Sequence, residues 1–355
     1  MDQPVHDVRA QLRERVIPAL RERLVRHQFR LGPIRLSLFV PGDDYPVLGH
    51  LAEHGRFDVA DYELFFVEEP QCEAALADIL RRCADTSFRA KRFASGFYLT
   101  NHFGHPAVKC TLDEGRTHIV FGREAYRTFW SYYAKYVLTH YSALRGQLHM
   151  KAGAVMDAEG GVTLLVGKGS GGKSVLLRKL ADLGLQVLSN THVLIDGATV
   201  WGVKTSVRVR QDDTFGPIIR AHDLPKGPEP GEYMCPPHLI FGDGPERLHG
   251  TLKRIVVTHY GDGRPGIRTL DAPVLRTALK NLSYPLHTYG MKDDYLEFLD
   301  DDLDRFHEVY EAEMRMLQAL AEDYPGLYCN FKAAGPQAFD EFAQRLGLRA
   351  TAAAH

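Results

Sequence analysis

Apolar positions near the start of the chain recur at helical spacing: Val8, Leu12, Val16, Ile17, Leu20 and Leu24 stand among charged residues between Val5 and His27. That period predicts an amphipathic helix, kinked or broken near Pro18, whose ring removes a backbone donor and crowds the preceding turn. Short apolar and aromatic runs follow at Phe97 to Asn101, Ala107 to Thr111 and His118 to Phe121. Gly, His-Pro and Asp-Glu-Gly turn signals divide them, so they read as antiparallel strands of a meander. From Arg123 to Arg145 the density of Tyr, Phe and Leu, with Trp130, predicts a long, largely buried helix.

After Gly146 the pattern changes. His149 to Met156 predicts a strand, Asp157 to Gly161 a turn, and the unbroken apolar run Val162 to Val166 a strand buried on both faces. The change places a boundary near Arg145 and divides the chain into a mixed N-terminal recognition domain over 1–145 and a second domain over 146–349. Farther on, Trp201 to Arg210 alternates basic with apolar residues, as a strand with one wet face does. Pro and Gly crowd the segment Gly216 to Pro245, which reads as a long surface loop of the kind that forms lids. Leu252 to His259 returns to strand character. Asp301 to Ala321 has helical periodicity in Phe306, Val309, Tyr310, Met314, Leu317 and Leu320, and the residues from Ala350 onward are expected to fray.

With 355 residues, 45% apolar and 25% charged, the chain has the composition of an ordinary globular protein of about two domains. A formal net charge of -2 gives no long-range attraction to nucleic acid or membrane. Cys72, Cys83, Cys110, Cys235 and Cys329 form no CxxC pair and lie near no His at zinc-finger spacing, so a reduced interior is expected. Asp2, His6, Asp7 and Arg9 do not make the basic-then-apolar layout of a secretion signal, and no run has the apolar length of a membrane span. These features predict a cytoplasmic protein without nucleic-acid or membrane partners.

One segment carries specific chemistry. Gly167-Lys168-Gly169-Ser170-Gly171-Gly172-Lys173-Ser174 matches G-x-x-x-x-G-K-[ST] at every position, with an apolar strand before it and a helix, Ser174 to Leu180, after it. Backbone N–H groups and a helix N-terminus then converge on phosphate oxygens. The glycines remove Cβ atoms where the chain must approach the ligand, Lys173 supplies charge to the β- and γ-phosphates, and Ser174 is placed to ligate Mg²⁺. A nucleoside triphosphate, ATP with Mg²⁺, is the expected ligand.

The run His149 to Ile195 also resembles the catalytic domain of HPr kinase/phosphorylase, the bacterial serine kinase family whose fold is shared with phosphoenolpyruvate carboxykinases. In that family a His-bearing strand precedes a Gly-rich turn, a buried strand, the phosphate loop, a helix and a second strand ending in an acidic pair. Here those places are taken by His149 within Leu148 to Val155, Gly160-Gly161, Val162 to Val166, Gly167 to Ser174, and Val187-Leu188. The likeness spans about an eighth of the chain, and the N-terminal half looks like the variable front domain of HPr-kinase-like proteins in natural-product and peptide-modification pathways. It implies an α/β P-loop domain of the HPr kinase C-terminal and phosphoenolpyruvate carboxykinase type, preceded by a smaller α+β domain. It also implies ATP-dependent phosphoryl transfer.

The sequence departs from that family at the acidic pair, where it reads Ser189-Asn190-Thr191-His192. Asn190 can offer its carbonyl oxygen to a metal-bound water, but neither Asn190 nor Thr191 serves as a base near neutral pH. His192 has a side chain suited to that work, and His149 can contact the γ-phosphate, orient an acceptor or satisfy a buried carbonyl. Arg208 and Arg210 share one strand face, where Arg208 can meet a transferring phosphoryl group or be solvated. Asp212 and Asp213 are alternatives for the missing carboxylate, while Asp196 reads first as part of a turn.

Two readings follow. In one the protein is a kinase that phosphorylates a hydroxyl or other nucleophile on a peptide, protein or small metabolite, with His192 or Asp212 as base. In the other it is a nucleotide-binding switch that recognises a partner and transfers little or no phosphate. The acceptor, the choice between ATP and GTP, and whether the chain forms a homo-oligomer stay open in the sequence.

Overall fold

The computed structural model describes residues 5–51, 53–82, 107–169, 171–226, 230–242, 247–259, 266–330 and 336–347. The chain forms a mixed α/β protein with several sheets, divided into two compact units: Met1–Tyr141 with Tyr289–Asp302, and Ser142–Thr288 with Leu303–His355. The run Phe97 to Asn101 and the C-terminal residues from Ala350 lie outside the described residues.

In the first unit the amphipathic segment folds as helices Val5–Gln11 and Ile17–Arg23 joined by a π-helical turn at Leu12–Val16. The expected break near Pro18 takes this form because Ile17 N–H reaches back to Leu12 O, loosening the turn just before the residue that has no N–H. The helix stops at Arg23, short of His27, and the chain enters strand β1 (Val25–Leu31). A tight turn with Gly32 at φ 61 returns it as β2 (Ile34–Val40). Strands β3 (Tyr62–Glu68), β4 (Ala107–Leu112) and β5 (Thr117–Gly122) complete a sheet of order β1-β2-β3-β5-β4.

Strand alternation gives this sheet two apolar faces. Phe65 packs with Leu12, Val16 and Leu20 of the N-terminal helices, whereas its neighbour Phe66 meets Phe129 and Tyr133 edge-on. The predicted buried helix after Arg123 is present as a π-helical turn, Phe129–Tyr133, and the helix Ala134–Arg145. The returning helix Lys292–Phe298 belongs to the same unit, where Glu297 accepts from buried Lys109 at 2.8 Å and Asp294 from Tyr132 at 3.1 Å.

The second unit is built on strands β6 (Leu148–Met156), β7 (Gly161–Val166), β8 (Gln186–Ser189), β9 (His192–Asp196) and β10 (Thr199–Val203). A two-stranded ribbon follows, β11 (Val207–Arg210) with β12 (Glu232–Cys235), and then β13 (His249–His259), β14 (Gly266–Leu270) and β15 (Gly326–Asn330). The large sheet runs β10-β9-β6-β7-β13-β15-β14, with β8 beside β6. β10 also pairs with the first residues of β13, Trp201 opposite His249, so this part of the sheet curls into a closed ring. Close backbone approach at the seam requires glycine: a Cβ on Gly202 would lie 2.1 Å from Leu188 O, and one on Gly250 2.5 Å from Gly160 O.

Two sequence expectations are corrected here. The alternating run Trp201 to Arg210 is two strands, because Lys204 to Ser206 leave the sheet to be held by Asn190. The segment Gly216 to Pro245 holds helix Gly216–Ala221, β12 and helix Pro237–Phe241 rather than one long loop. Its prolines start short helices, and Phe215, Leu224, Cys235 and Ile240 bury against Val207 and Val209. Among the described residues no helix is long and apolar enough to cross a membrane.

The helix Lys173–Asp182 packs on the large sheet through Leu176, Leu177 and Leu180 against Val155, Leu165 and Val256. Its approach to β6 depends on Gly153, where an added Cβ would lie 3.1 Å from Leu177 Cδ1. Gly153→Val is expected to push the helix outward and cost about 1–3 kcal/mol by overpacking. The readout is a lower urea midpoint at unchanged m-value; an unchanged midpoint would show that the helix seat tolerates the extra volume.

Candidate functional site

The glycine-rich loop leaves the C-terminal end of β7, a strand buried along its whole length between β6 and β13. Gly167 passes so close to β13 that a Cβ there would lie 2.5 Å from Thr258 O, and one on Gly171 would lie 2.9 Å from Lys168 O. Gly172 caps the helix at φ 78, a conformation that other residues reach only with strain. Lys168 and Gly169 are exposed, Ser174 is half-buried in the first helical turn, and Ser170 lies outside the described residues.

Lys173 opens the helix and folds back over the loop. Its Nζ donates to Gly167 O and Lys168 O, each at 2.8 Å. Burial, and then the positive charge of Lys151, lower its pKa to about 8. Lys151 is itself held below the ordinary lysine value by burial and by Arg208. Lys151 thus feels Lys173 on the loop and Arg208 beyond it, and the positive charge beside the helix N-terminus favours a polyanion.

The β6 register explains how Lys151 comes to be there. Gly153 and Val155 face the loop helix, and a period of two places Lys151 and His149 on the same face. Lys151 stands directly opposite His192 of β9, so His192 shares that face too. His149 Nε2 and His192 Nδ1 lie 3.0 Å apart, and both side chains are buried. One of these nitrogens must carry the proton and the other the lone pair, so each ring sets the tautomer of the other. Sequence reasoning named both histidines but missed Lys151. The available signal was a charged residue two places beyond His149 in an otherwise apolar strand.

β8 and β9 lie one after the other along β6, interrupted at Asn190 and Thr191. Ser189 Oγ donates to His192 O at 2.6 Å inside this break. The buried Asn190 amide donates to Thr205 O at 3.0 Å and accepts from Thr205 N at 3.1 Å and Thr205 Oγ1 at 3.2 Å. The oxygen expected to reach a metal-bound water is therefore turned to Thr205, and Asn190 acts as a clamp between the strand break and the β10–β11 connection. Among the described residues no group of three His, Cys, Asp or Glu side chains could hold a metal ion.

The acidic candidates after β11 are placed differently. Asp212 Oδ1 accepts from Thr214 N at 2.9 Å and Phe215 N at 2.8 Å, closing a turn before the helix Gly216–Ala221. Asp213 is exposed, and Asp196 ends β9 at the turn into β10, where Gly197 has φ 55. Arg208 and Arg210 project from the face of β11 opposite Val207 and Val209, both highly exposed and directed toward Glu232 of β12. Glu232, buried on a strand inside the presumed loop, was not anticipated.

No protein-family model matches the chain, and no curated protein matches it in sequence.

The depressed Lys173 pKa has a thermodynamic consequence. The unfolded lysine keeps its proton up to about 10.5 and the folded one releases it near 8, so the contribution of Lys173 to stability rises as pH climbs between those values, against the opposite contribution of the buried thiols Cys235 and Cys329. Lys173→Met should flatten that rise, leaving the part due to Lys151. Urea midpoints of both proteins across this window measure the difference; equal slopes would place the perturbed group elsewhere.

Proposed function

We propose that the second unit binds ATP with Mg²⁺ on the Gly167–Ser174 loop and transfers the terminal phosphoryl group to a hydroxyl or other nucleophile of a peptide, protein or small metabolite. The observation that carries this reading is Lys173 folded over the loop at its helix N-terminus, with the charge of Lys151 beside it and that of Arg208 beside Lys151, and with Gly167 and Gly171 leaving no room for a Cβ. Burial that costs a lysine part of its proton affinity is offset when an anion arrives. The order β6, Gly160-Gly161 turn, β7, phosphate loop, helix, β8 is also the layout of an HPr-kinase-like domain, and we assign the second unit to that fold.

The residues present suit the nucleotide. The loop amides and Lys173 would hold the phosphates, and Ser174 would hold Mg²⁺, an ion that ordinarily takes one or two protein groups and keeps several waters. When bound, the nucleotide supplies the transferable phosphoryl group. Lys151 and Arg208 supply positive charge where negative charge develops. With His192 Nδ1 donating to His149 Nε2, the lone pair of His192 lies at Nε2, the atom that would take the acceptor's proton. His149 would then hold the resulting imidazolium in place.

One observation favours a second reading, a nucleotide-binding switch. The amide of Asn190 cannot take a proton and its oxygen accepts from Thr205, while Asp212 spends Oδ1 on closing the turn before the helix Gly216–Ala221. A site without a competent proton acceptor would bind and hold the nucleotide but transfer little.

Calorimetry with MgATP and a γ-labelled transfer assay separate these outcomes. Wild type should bind and Lys173→Ala should not. His192→Ala should lower turnover by about 10²–10⁴-fold with affinity nearly unchanged if its imidazole moves the proton. Binding without labelled product favours the switch. No heat with ATP or GTP would remove both readings.

A further inference from the structure

Glu232 stands directly opposite Arg210 in the β11–β12 ribbon. Its side chain is only 7% exposed, against 62% for Arg208 and for Arg210. Oε1 accepts from Arg210 Nη2 at 2.9 Å. Oε2 lies 3.8 Å from Arg208 Nη1, beyond hydrogen-bond range, and accepts no hydrogen bond from any described residue. The cause is geometric: Arg208 is the diagonal neighbour of Glu232, two residues along the partner strand. A buried carboxylate oxygen left in this state is costly and calls for an explanation.

The ribbon's position supplies one. Val207 and Val209 are buried among Phe215, Cys235 and Ile240, which leaves Arg208, Arg210 and Glu232 on the other face. The Asn190–Thr205 clamp fixes the start of the ribbon beside the break that precedes His192. Arg208 follows Thr205 by three residues, a reach of roughly 10 Å. Its charge is felt by Lys151 on the face of the phosphate loop.

We propose that Glu232 is a positioning residue of the phosphate site: Arg210 is its permanent partner, and Arg208, held loosely, exchanges Glu232 Oε2 for a phosphate oxygen when the nucleotide is seated. The inference rests on the nucleotide reading above and extends it with a named resting partner for Arg208. A ligand that must draw Arg208 from a carboxylate binds more weakly than one that finds it released, because only the released fraction is competent.

Tripolyphosphate, which lacks sugar and base, isolates this contact. Glu232→Gln is expected to bind it about three- to tenfold tighter than wild type, by titration calorimetry at constant ionic strength. In Arg208→Ala the affinity should fall, and adding Glu232→Gln to that variant should give no gain. Unchanged or weaker binding by a folded Glu232→Gln protein overturns the proposal, as does a gain that persists without Arg208. Should Glu232→Gln lose the wild-type melting transition, Glu232→Asp decides: it keeps the charge but withdraws it from the diagonal neighbour, and must also tighten binding. Wild-type protein that binds neither tripolyphosphate nor MgATP would overturn the nucleotide reading itself.

Discussion

The contact between Leu177 and the vacant Cβ position of Gly153 sets how closely the phosphate-loop helix lies on β6, and the candidate site depends on that closeness. Successive side chains on a strand alternate between faces, so the residues that seat the helix also decide which others share its side. Val155 and Gly153 meet the helix body, and Lys151 and His149 continue the same face. The partner strand adds His192 opposite Lys151. Apolar packing at one end of β6 and charged chemistry at the other are one geometric arrangement.

Much of this unit was legible in the sequence because its signals are local. An apolar run, a glycine pattern with lysine and serine at fixed places, and a helical period are each read over a few residues, and β7, the loop and the helix stand where those signals put them. Pairing between distant segments was not legible. β12 exists because β11 lies beside it, and nothing within the Pro- and Gly-rich run announces that partner, so Glu232 was hidden in an expected loop. Asn190 likewise read as a partner for a metal-bound water from its place after β8, whereas its bonds go to Thr205, fifteen residues on. Lys151 failed for a different reason: a lysine in an apolar strand carries no motif of its own.

The first unit shows the same division. Its N-terminal helix follows from spacing, but β1 does not, since Arg26, His27, Gln28 and Arg30 break up its apolar residues and Leu24 fits the helix just as well. What completes that strand is its hairpin with β2, from Val25 opposite Val40 to Leu31 opposite Ile34. The membership of Lys292–Phe298 in this unit is equally non-local. Buried Lys109 needs an acid, and the chain brings Glu297 from far downstream to meet it.

Curling the large sheet so that β10 meets β13 also changes what the second unit shows to other copies of itself. An open sheet has two outer strands whose unpaired amides can template growth; here β10 is hydrogen-bonded on both sides, to β9 and to β13. At the other end of the order lies β14, five residues long, largely exposed, with Arg268 set over the ring of Tyr328. A short margin bearing a cation is a poor seed for strand-by-strand aggregation. The seam glycines that allow the curl therefore bear on colloidal behaviour at high concentration as well as on shape.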